Sequence, residues 1–565
     1  MSARQRIQLS VEAQGTFDQL VERANAENWA QRLFDRDTSL WTRDPDVSAD
    51  IKDRLGWLDA PDHFQLQIAA LEGFGDGLGE AGFDTAVVMG MGGSSLAPDV
   101  FRQTFGTAEG YLPLRILDST DPAAVGAVMD DLDPLETLWI VASKSGTTTE
   151  PLAFMAAAWS RVEAQLEARG SDQKPGEFFA VITDPGRSLE AIPHHDDLRE
   201  EFLNPPDIGG RYAALTYVGL VPASIIGLDL DALLASAAAV VAACREPDAR
   251  VNPGVQLGLA IAGLAAMGRD KLTFLADFEI ASFGAWLEQL IAESTGKQGG
   301  GIVPVDNEPL FRASDYGSDR AFVFLRLADS DHDELAKLAD DLEKGGHPVI
   351  RIELDDQIDL AGEMVRWEVA TAIAGIVLGI NPFDQPNVEE AKDLTRKVLA
   401  AAGGHVSEEA DAVPALRVQG AGVDELAKAL APAFDALEPP TYIAIQAFIA
   451  PSPAVDQALN KVRAALGVTG CATTSGYGPR FLHSTGQLHK GGPATGVFLQ
   501  LTADHPDDRQ IPDWPYSFGQ LIDAQARGDR EALRSHDRPV VHVHLGANLT
   551  DDLRTLERAI ARVLA

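Results

Sequence analysis

The fold is decided by one segment, Leu138-Trp139-Ile140-Val141-Ala142-Ser143-Lys144-Ser145-Gly146-Thr147-Thr148-Thr149-Glu150-Pro151. Its first four residues form an apolar run that predicts a buried strand. After it, the apolar residues Leu152, Met155, Ala156 and Trp159 follow at the spacing of one helix face. The segment therefore predicts a strand, a polar turn and a helix in direct succession.

The polar turn predicts a phosphate site. Hydroxyl groups and free backbone N–H groups at the start of a helix suit an anion, helped by the positive end of the helix dipole. An ordinary N-cap needs one hydroxyl, whereas this turn has five and a lysine. The candidate phosphate-binding residues are Ser143, Lys144, Ser145, Thr147 and Thr148.

Strand and helix patterns alternate on both sides of this segment, which predicts doubly wound parallel sheets of the α/β class. Further strands are expected at 85–89, 114–117, 178–182, 271–275, 321–325, 348–352, 441–445 and 540–544. Residues 1–55 are expected to form an N-terminal helical arm, 56–250 a first sheet domain with the phosphate turn and 251–400 a second sheet domain. Residues 401–565 are expected to form a C-terminal extension with a histidine-containing loop and a terminal helix, after a linker at 400–422.

The composition is that of a globular and strongly acidic chain. Its 565 residues are 45% hydrophobic and 23% charged, and the formal net charge is −39. This balance argues against a nucleic-acid partner, whose binding rests on basic side chains. No targeting segment or membrane-spanning run stands out, and two cysteines are too few for a disulfide framework. We therefore expect a cytoplasmic protein with no membrane partner.

A glycine-rich turn, Gly90-Met91-Gly92-Gly93-Ser94-Ser95, follows the strand at 85–89. It invites a dinucleotide-binding interpretation, with Asp118 as the ribose ligand. The third glycine of that fingerprint is replaced by Ser95, and Asp118 lies farther from the glycine-rich turn than the acidic residue of such sites usually does. A sugar-binding loop that includes Gly93 and Ser94 is favoured over a dinucleotide site or a purely structural turn.

Two later motifs have the residue types of acid–base chemistry. Arg211 follows Gly209 and Gly210, and its permanently charged guanidinium could stabilise an oxyanion. Glu293 borders an apolar helix stripe, with Gln289 one turn earlier, so it is a candidate general base. A structural arginine and an ordinary helix-end glutamate remain the alternatives.

The remaining candidates lie nearer the C-terminus. Gln385 and Lys392 belong to a turn that leads into a helix, where a solvated lysine is the ordinary interpretation. His483 and His489 lie in a glycine-rich loop that suits proton transfer or is simply a surface loop. His542 and His544 share one strand face but have no third ligand nearby in sequence, so no metal site is expected.

Together these motifs resemble the glucose-6-phosphate isomerases of the sugar-isomerase (SIS) superfamily. The similarity runs in the family's order through 90–98, 143–150, 209–212, 289–297 and 385–392. The Ala292–Lys297 segment and the loop from Arg480 to Pro493 look more like the isomerase half of bifunctional transaldolase/glucose-6-phosphate isomerases, although no transaldolase portion is visible.

The resemblance implies two SIS domains that share one site, usually in a homodimer, and interconversion of glucose 6-phosphate and fructose 6-phosphate without metal or cofactor. It also implies roles for single residues. The hydroxyls of Ser94 and of the polar turn would hold the phosphate with Lys144, and Gln289 and Gln385 would position the sugar. Glu293 would be the base, Arg211 would stabilise the enediolate, and Lys392 would assist ring opening.

One departure from the family concerns its ring-opening histidine. That residue normally lies between the glutamate and the late lysine, yet Gly300–Leu325 contains no histidine. The Gly486-Gln487-Leu488-His489 segment occurs far downstream instead. We therefore assign ring opening to His489, which a partner subunit could supply, with His483 as the second choice.

Three other functions are compatible with parts of the sequence. An isomerase that also accepts mannose 6-phosphate would have the same motifs. A non-catalytic SIS sensor would keep the phosphate turn without needing Glu293 or a histidine loop. An NAD-dependent oxidoreductase is suggested only by the glycine-rich turn and Asp118.

Overall fold

The computed structural model describes residues 4–331, 333–401, 413–434 and 436–565. Residues 402–412 of the linker expected at 400–422 lie outside the described residues. The described secondary structure forms three five-stranded sheets with helices packed around them.

The N-terminal segment differs from the expected helical arm because it begins with a strand. β1 (Arg4–Gln8) pairs antiparallel with the strand at Val349–Leu354 of the second sheet. Its side chains alternate between exposed and half-buried, so it has no apolar run that predicts a strand. The helices that follow are α1 (Val11–Ala26), α2 (Trp29–Phe34), α3 (Pro45–Lys52), α4 (Ala60–Gln65) and α5 (Ile68–Glu80).

The first sheet is fully parallel and contains the polar turn. Its strands are β2 (Thr85–Gly90), β3 (Leu114–Leu117), β4 (Thr137–Ala142), β5 (Phe179–Thr183) and β6 (Glu200–Leu203), in the order β3-β2-β4-β5-β6. The helices of this region are α6 (Gly93–Phe105), α7 (Pro122–Met129), α8 (Thr149–Arg169), α9 (Arg187–Glu190), α10 (Tyr217–Ile225), α11 (Leu230–Cys244) and α12 (Pro253–Ala266).

The second sheet has the order β1-β10-β9-β7-β8, with β1 as its only antiparallel strand. Its other strands are β7 (Lys271–Ala276), β8 (Val303–Val305), β9 (Arg320–Leu327) and β10 (Val349–Leu354). The helices are α13 (Phe283–Thr295), α14 (Asp333–Lys344), α15 (Leu360–Leu378) and α16 (Val388–Ala401).

The C-terminal segment forms a third sheet, where only two strands and a terminal helix were expected. Its strands are β11 (Leu416–Arg417), β12 (Tyr442–Phe448), β13 (Ala472–Tyr477), β14 (Gly496–Ala503) and β15 (Val540–Leu545), all parallel, in the order β11-β15-β14-β12-β13. The helices are α17 (Val423–Phe434), α18 (Pro453–Gly467), α19 (Gly486–Gly491), α20 (Phe518–Ser535) and α21 (Leu549–Val563).

The three sheets share one strand order. Counted from β2, β7 and β12, the first four strands of each sheet follow the spatial order 2-1-3-4. The fifth place is taken by β6, β1 and β11 respectively. In such sheets ligands bind outside the carboxyl ends of the strands, which is where the polar turn after β4 lies.

Buried charges fasten the third sheet to the second. Glu308 pairs with Arg320 at 2.8 Å, and both side chains are 1% exposed. The Glu308 carboxylate also accepts hydrogen bonds from the backbone N–H and hydroxyl of Thr473 on β13. A buried pair is tolerated only when its hydrogen bonds are largely made, so this contact fixes how β13 lies against the second sheet.

Candidate active site

The polar turn joins β4 to α8 and places its hydroxyls at the helix N-terminus. Ser143 Oγ donates to Thr148 Oγ1 at 3.1 Å, and the hydroxyls of Ser145 and Thr147 lie 3.0 Å apart. Gly146 has a φ of +68°, and a methyl group there would lie 1.8 Å from the carbonyl oxygen of Ser188. Glycine is therefore required for the turn to pass so close to the neighbouring backbone.

Lys144 belongs to this turn by sequence, but its ammonium group is bound elsewhere. It pairs with the carboxylate of Asp184 and donates to the Pro206 carbonyl at 3.1 Å. The lysine therefore ties the turn to the loops after β5 and β6.

Arg211 is buried beside the turn that follows α15. Its Nε donates to Ser294 Oγ at 2.7 Å, and its Nη2 donates to the carbonyls of Pro382 and Asp384 at 2.8 and 3.0 Å. Its Nη1 donates to Gln385 Oε1 at 3.0 Å and lies 3.2 Å from Glu293 Oε1. The guanidinium thus brings three of the sequence-predicted residues together, namely Arg211, Glu293 and Gln385.

Glu293 and Gln289 lie one turn apart on α13. Gln289 Nε2 lies 3.2 Å from Glu293 Oε2 and donates to the backbone carbonyl of His483 at 2.7 Å. Glu293 is 8% exposed, so its carboxylate is held between an amide and a guanidinium and largely shielded from water. This arrangement keeps both oxygens of a potential base in fixed positions.

The glycine-rich turn after β2 packs directly against these groups. A methyl group at Gly93 would lie 2.2 Å from the Gly210 carbonyl oxygen, and one at Gly92 would lie 2.5 Å from the His483 carbonyl oxygen. Ser94 follows in the first turn of α6 and is half-buried. Gly93 and Gly210 therefore act through close backbone packing, which brings the turn to Arg211.

A cavity of about 230 Å³ opens beside the polar turn. Residues from all three parts of the chain form its walls. They are Ser145, Thr147, Thr148, Thr149 and Glu150 from the first sheet region, Thr395, Arg396 and Leu399 from α16, and Leu482, His483, Tyr516, Leu521 and Gln525 from the third.

The two candidate histidines occupy different environments. His483 lines the cavity, and its Nε2 lies 3.1 Å from Glu150 Oε1, which also accepts a hydrogen bond from Gln525. His489 is 3% exposed and packs against the rings of Phe481 and Phe498. Burial, with the charges of Lys490 and Arg538, holds the pKa of His489 well below its usual value. The structure thus brings His483 to the site and places His489 in the core of the third region.

Sequence reasoning missed one lysine at the site. Lys297, just beyond α13, is 2% exposed and donates to the Asn381 carbonyl at 2.8 Å and to Asp384 Oδ1 at 2.6 Å. Burial and the nearby Arg211 lower the pKa of Lys297 to about 8. Lys297 fixes the turn that contains Gln385. In the sequence, its position just after a helix gave it the pattern of a helix-terminating residue. Lys392 lies within α16, but its side chain is outside the described part of the structure.

Comparison with known proteins identifies the family. The family model described as phosphoglucose isomerase matches residues 59–307. A glucose-6-phosphate isomerase of Symbiobacterium thermophilum is 31% identical over an alignment of 401 residues that covers 62% of this chain and 87% of that protein. The chain belongs to the phosphoglucose isomerase family. A glucose-6-phosphate isomerase of Rubrobacter xylanophilus is 30% identical over 55% of this chain and 81% of that protein.

Solved structures agree on the fold of this family member. A hypothetical protein from Thermus thermophilus matches with a TM-score of 0.56 and 23% identity, covering 70% of this chain and all of that one. A glucose-6-phosphate isomerase from Chlamydia trachomatis matches with a TM-score of 0.50 and 22% identity, covering 64% of this chain and 77% of that one. The third sheet lies C-terminal to the range that the family model matches.

Two features are absent from the part of the chain that the structure describes. None of the helices there is both long and apolar enough to cross a bilayer. The same part of the chain contains no group of three or more histidine, cysteine, aspartate or glutamate side chains placed to hold a metal ion.

Proposed function

We propose that this member of the phosphoglucose isomerase family interconverts glucose 6-phosphate and fructose 6-phosphate, with Glu293 as the base. The observation that supports this most directly is the contact of the Glu293 carboxylate with Arg211 on one side and Gln289 on the other. A shielded carboxylate beside a fixed guanidinium suits proton transfer that builds up negative charge on a neighbouring oxygen.

The phosphate of the substrate binds at the polar turn. Hydroxyls of Ser143, Ser145, Thr147 and Thr148 and the N-terminus of the 21-residue helix α8 supply the donors. Gln289 and Gln385, both in contact with the catalytic pair, orient the sugar. Ser94 adds a hydroxyl on the side of the glycine-rich turn.

His483, in place of His489, opens the sugar ring. It lines the cavity and contacts Glu150, whereas His489 is enclosed by aromatic rings in the third region. A histidine can take the proton of the anomeric hydroxyl and return it to the ring oxygen as the C1–O5 bond breaks. Lys392 assists this step, as the family resemblance implies.

Proton transfer then follows on the open chain. Glu293 removes the proton from C2 of the aldose, the C2–H electron pair forms the double bond to C1, and negative charge develops on O1. Arg211, 3.2 Å from Glu293, stabilises that enediolate. A proton moves from O2 to O1, Glu293 returns its own to C1, and the carbonyl is left at C2.

The test is turnover of fructose 6-phosphate by Glu293→Gln, which removes the base and keeps the shape. We expect kcat to fall about 10²- to 10⁴-fold, the usual contribution of a positioned base, with substrate binding retained in calorimetry. Glu288→Gln, on the same helix, is the matched control and should remain active. A wild type that binds the sugar phosphate without turning it over would contradict this proposal and favour the sensor.

Two finer properties belong to the same proposal. Comparing mannose 6-phosphate with glucose 6-phosphate as substrates decides whether the site discriminates at C2. The homodimer that the resemblance implies is tested by sedimentation. Neither is required for the roles of Glu293 and His483, since the contacts that place them lie within one chain.

A further inference from the structure

The substrate phosphate is a dianion, and the chain around it has a net charge of −39. Hydroxyls and a helix dipole alone give such a group no full opposite charge. Lys144, the lysine of the turn, is already paired with Asp184 and bound to the Pro206 carbonyl. A full positive charge beside the phosphate would therefore have to come from another element.

Arg396 meets that need. It lies on α16 and lines the cavity together with four consecutive residues around the polar turn, Thr147 among them. Its neighbour Thr395 is fixed against α20, since a methyl group at Gly528 would lie 2.7 Å from Thr395 Oγ1. The helix that carries the guanidinium is thus held in place opposite the hydroxyls.

The present partner of Arg396 is easily replaced. Its guanidinium pairs with Asp393, three residues earlier on the same helix, and the two side chains are 67% and 58% exposed. Exposed pairs of this kind contribute little to stability, so exchanging the carboxylate for a phosphate costs little.

We propose that Arg396 is the cation that binds the substrate phosphate, by leaving Asp393 and donating two parallel N–H groups to the phosphate oxygens. The inference rests on the proposed function because it takes the polar turn as the phosphate-binding site. A guanidinium has the fork geometry that matches two oxygens of a phosphate, which a lysine cannot reproduce. Arg396 is thus a binding residue, distinct from the groups that move protons.

Steady-state kinetics with fructose 6-phosphate test the inference through a split between KM and kcat. Arg396→Ala should raise KM by about tenfold or more while kcat changes less than about threefold, since a charge-assisted hydrogen bond is worth about 1.5–3 kcal/mol. The KM of Arg396→Lys should lie between those of the wild type and Arg396→Ala. Asp393→Asn, which frees the guanidinium, should leave KM unchanged or lower it. The control is Lys397→Ala, which removes one charge from the next, exposed position of the same helix.

Inorganic phosphate gives a second readout that does not depend on turnover. Its inhibition constant, or its dissociation constant in calorimetry on the full chain, should rise with Arg396→Ala by the same factor as KM. An Arg396→Ala protein with wild-type KM and wild-type phosphate affinity overturns the inference. A wild type that binds phosphate through Arg396 but does not isomerise would instead overturn the proposed function alone.

Discussion

At the scale of single residues, the site depends on side chains that hold other side chains. Arg211 fixes Glu293 and Gln385, and Lys297 fixes the Asp384 turn from which Gln385 projects. The sequence pattern pointed to Arg211, Glu293 and Gln289, because a charged or amide group beside glycines or on an apolar stripe is visible in a pattern, whereas Gln385 followed from the family resemblance. The burial of Lys297 was not predictable, since its acceptors come from residues more than eighty positions later.

Lys297 gives a prediction about stability and pH. Burial lowers its folded pKa to about 8, below the 10.5 of an exposed lysine. Between these values the unfolded chain binds the extra proton, so stability rises as pH increases through this window. Relative to Lys297→Met, the wild type should gain about 1.4 kcal/mol of unfolding free energy per pH unit there. Urea unfolding of both proteins at pH 8–10 measures the difference. If the unfolding free energy changed with pH equally in both proteins, the lowered pKa of Lys297 would be contradicted.

At the scale of elements, α13 separates two environments. Gln289 contacts the His483 carbonyl and Glu293 contacts Arg211, whereas Glu288 lines a second cavity of about 210 Å³ together with Asp306, Arg463 and Arg480. The single turn Arg480–His483 lies between the same two cavities, because Leu482 and His483 line the first and Arg480 and Phe481 the second. Movement of this turn would therefore alter the contact between His483 and Gln289.

Glu288 should destabilise the protein near neutral pH. Burial, with the charge of Asp306, raises its pKa to about 8 from a usual 4.5. Between these values the folded chain holds more protons than the unfolded one, so stability falls as pH rises. Glu288→Gln removes this dependence and should unfold at a higher temperature than wild type at pH 7, with little difference at pH 4.5. Thermal scans at both pH values check this; equal midpoints at pH 7 would show that the carboxyl is not so shielded.

Strand prediction succeeded in the middle of the sheets and mostly failed at their edges. Each expected strand is present, and all but the edge strand β3 are central strands, which in parallel sheets are buried on both faces and have continuous apolar runs. Five of the missed strands, β1, β6, β8, β11 and β13, are edge strands that are short, half-exposed or made of small polar residues. The other, β14, is central, and its apolar signal at Phe498, Leu499 and Leu501 was available in the sequence.

At the scale of the whole molecule, three sheets of the same strand order contribute residues to the candidate site. The first provides the polar turn, the second provides Glu293 on α13, and the third provides His483 after β13. The sequence favoured His489 over His483, and the difference in what packs around these two nearby side chains is visible only in the structure. On the proposed roles, one chain contains a complete site.

Mixing two inactive variants tests that claim most directly. Glu293→Gln and His483→Ala are each purified, then combined under conditions that exchange subunits, and fructose 6-phosphate turnover is measured. If both residues serve the same site within one chain, every site in a mixed assembly lacks one of them, and activity stays at the sum of the separate variants. Recovery of a substantial fraction of wild-type activity, about a quarter of the sites in a shared-site dimer, would show that the histidine acts across subunits and would contradict a site complete within one chain.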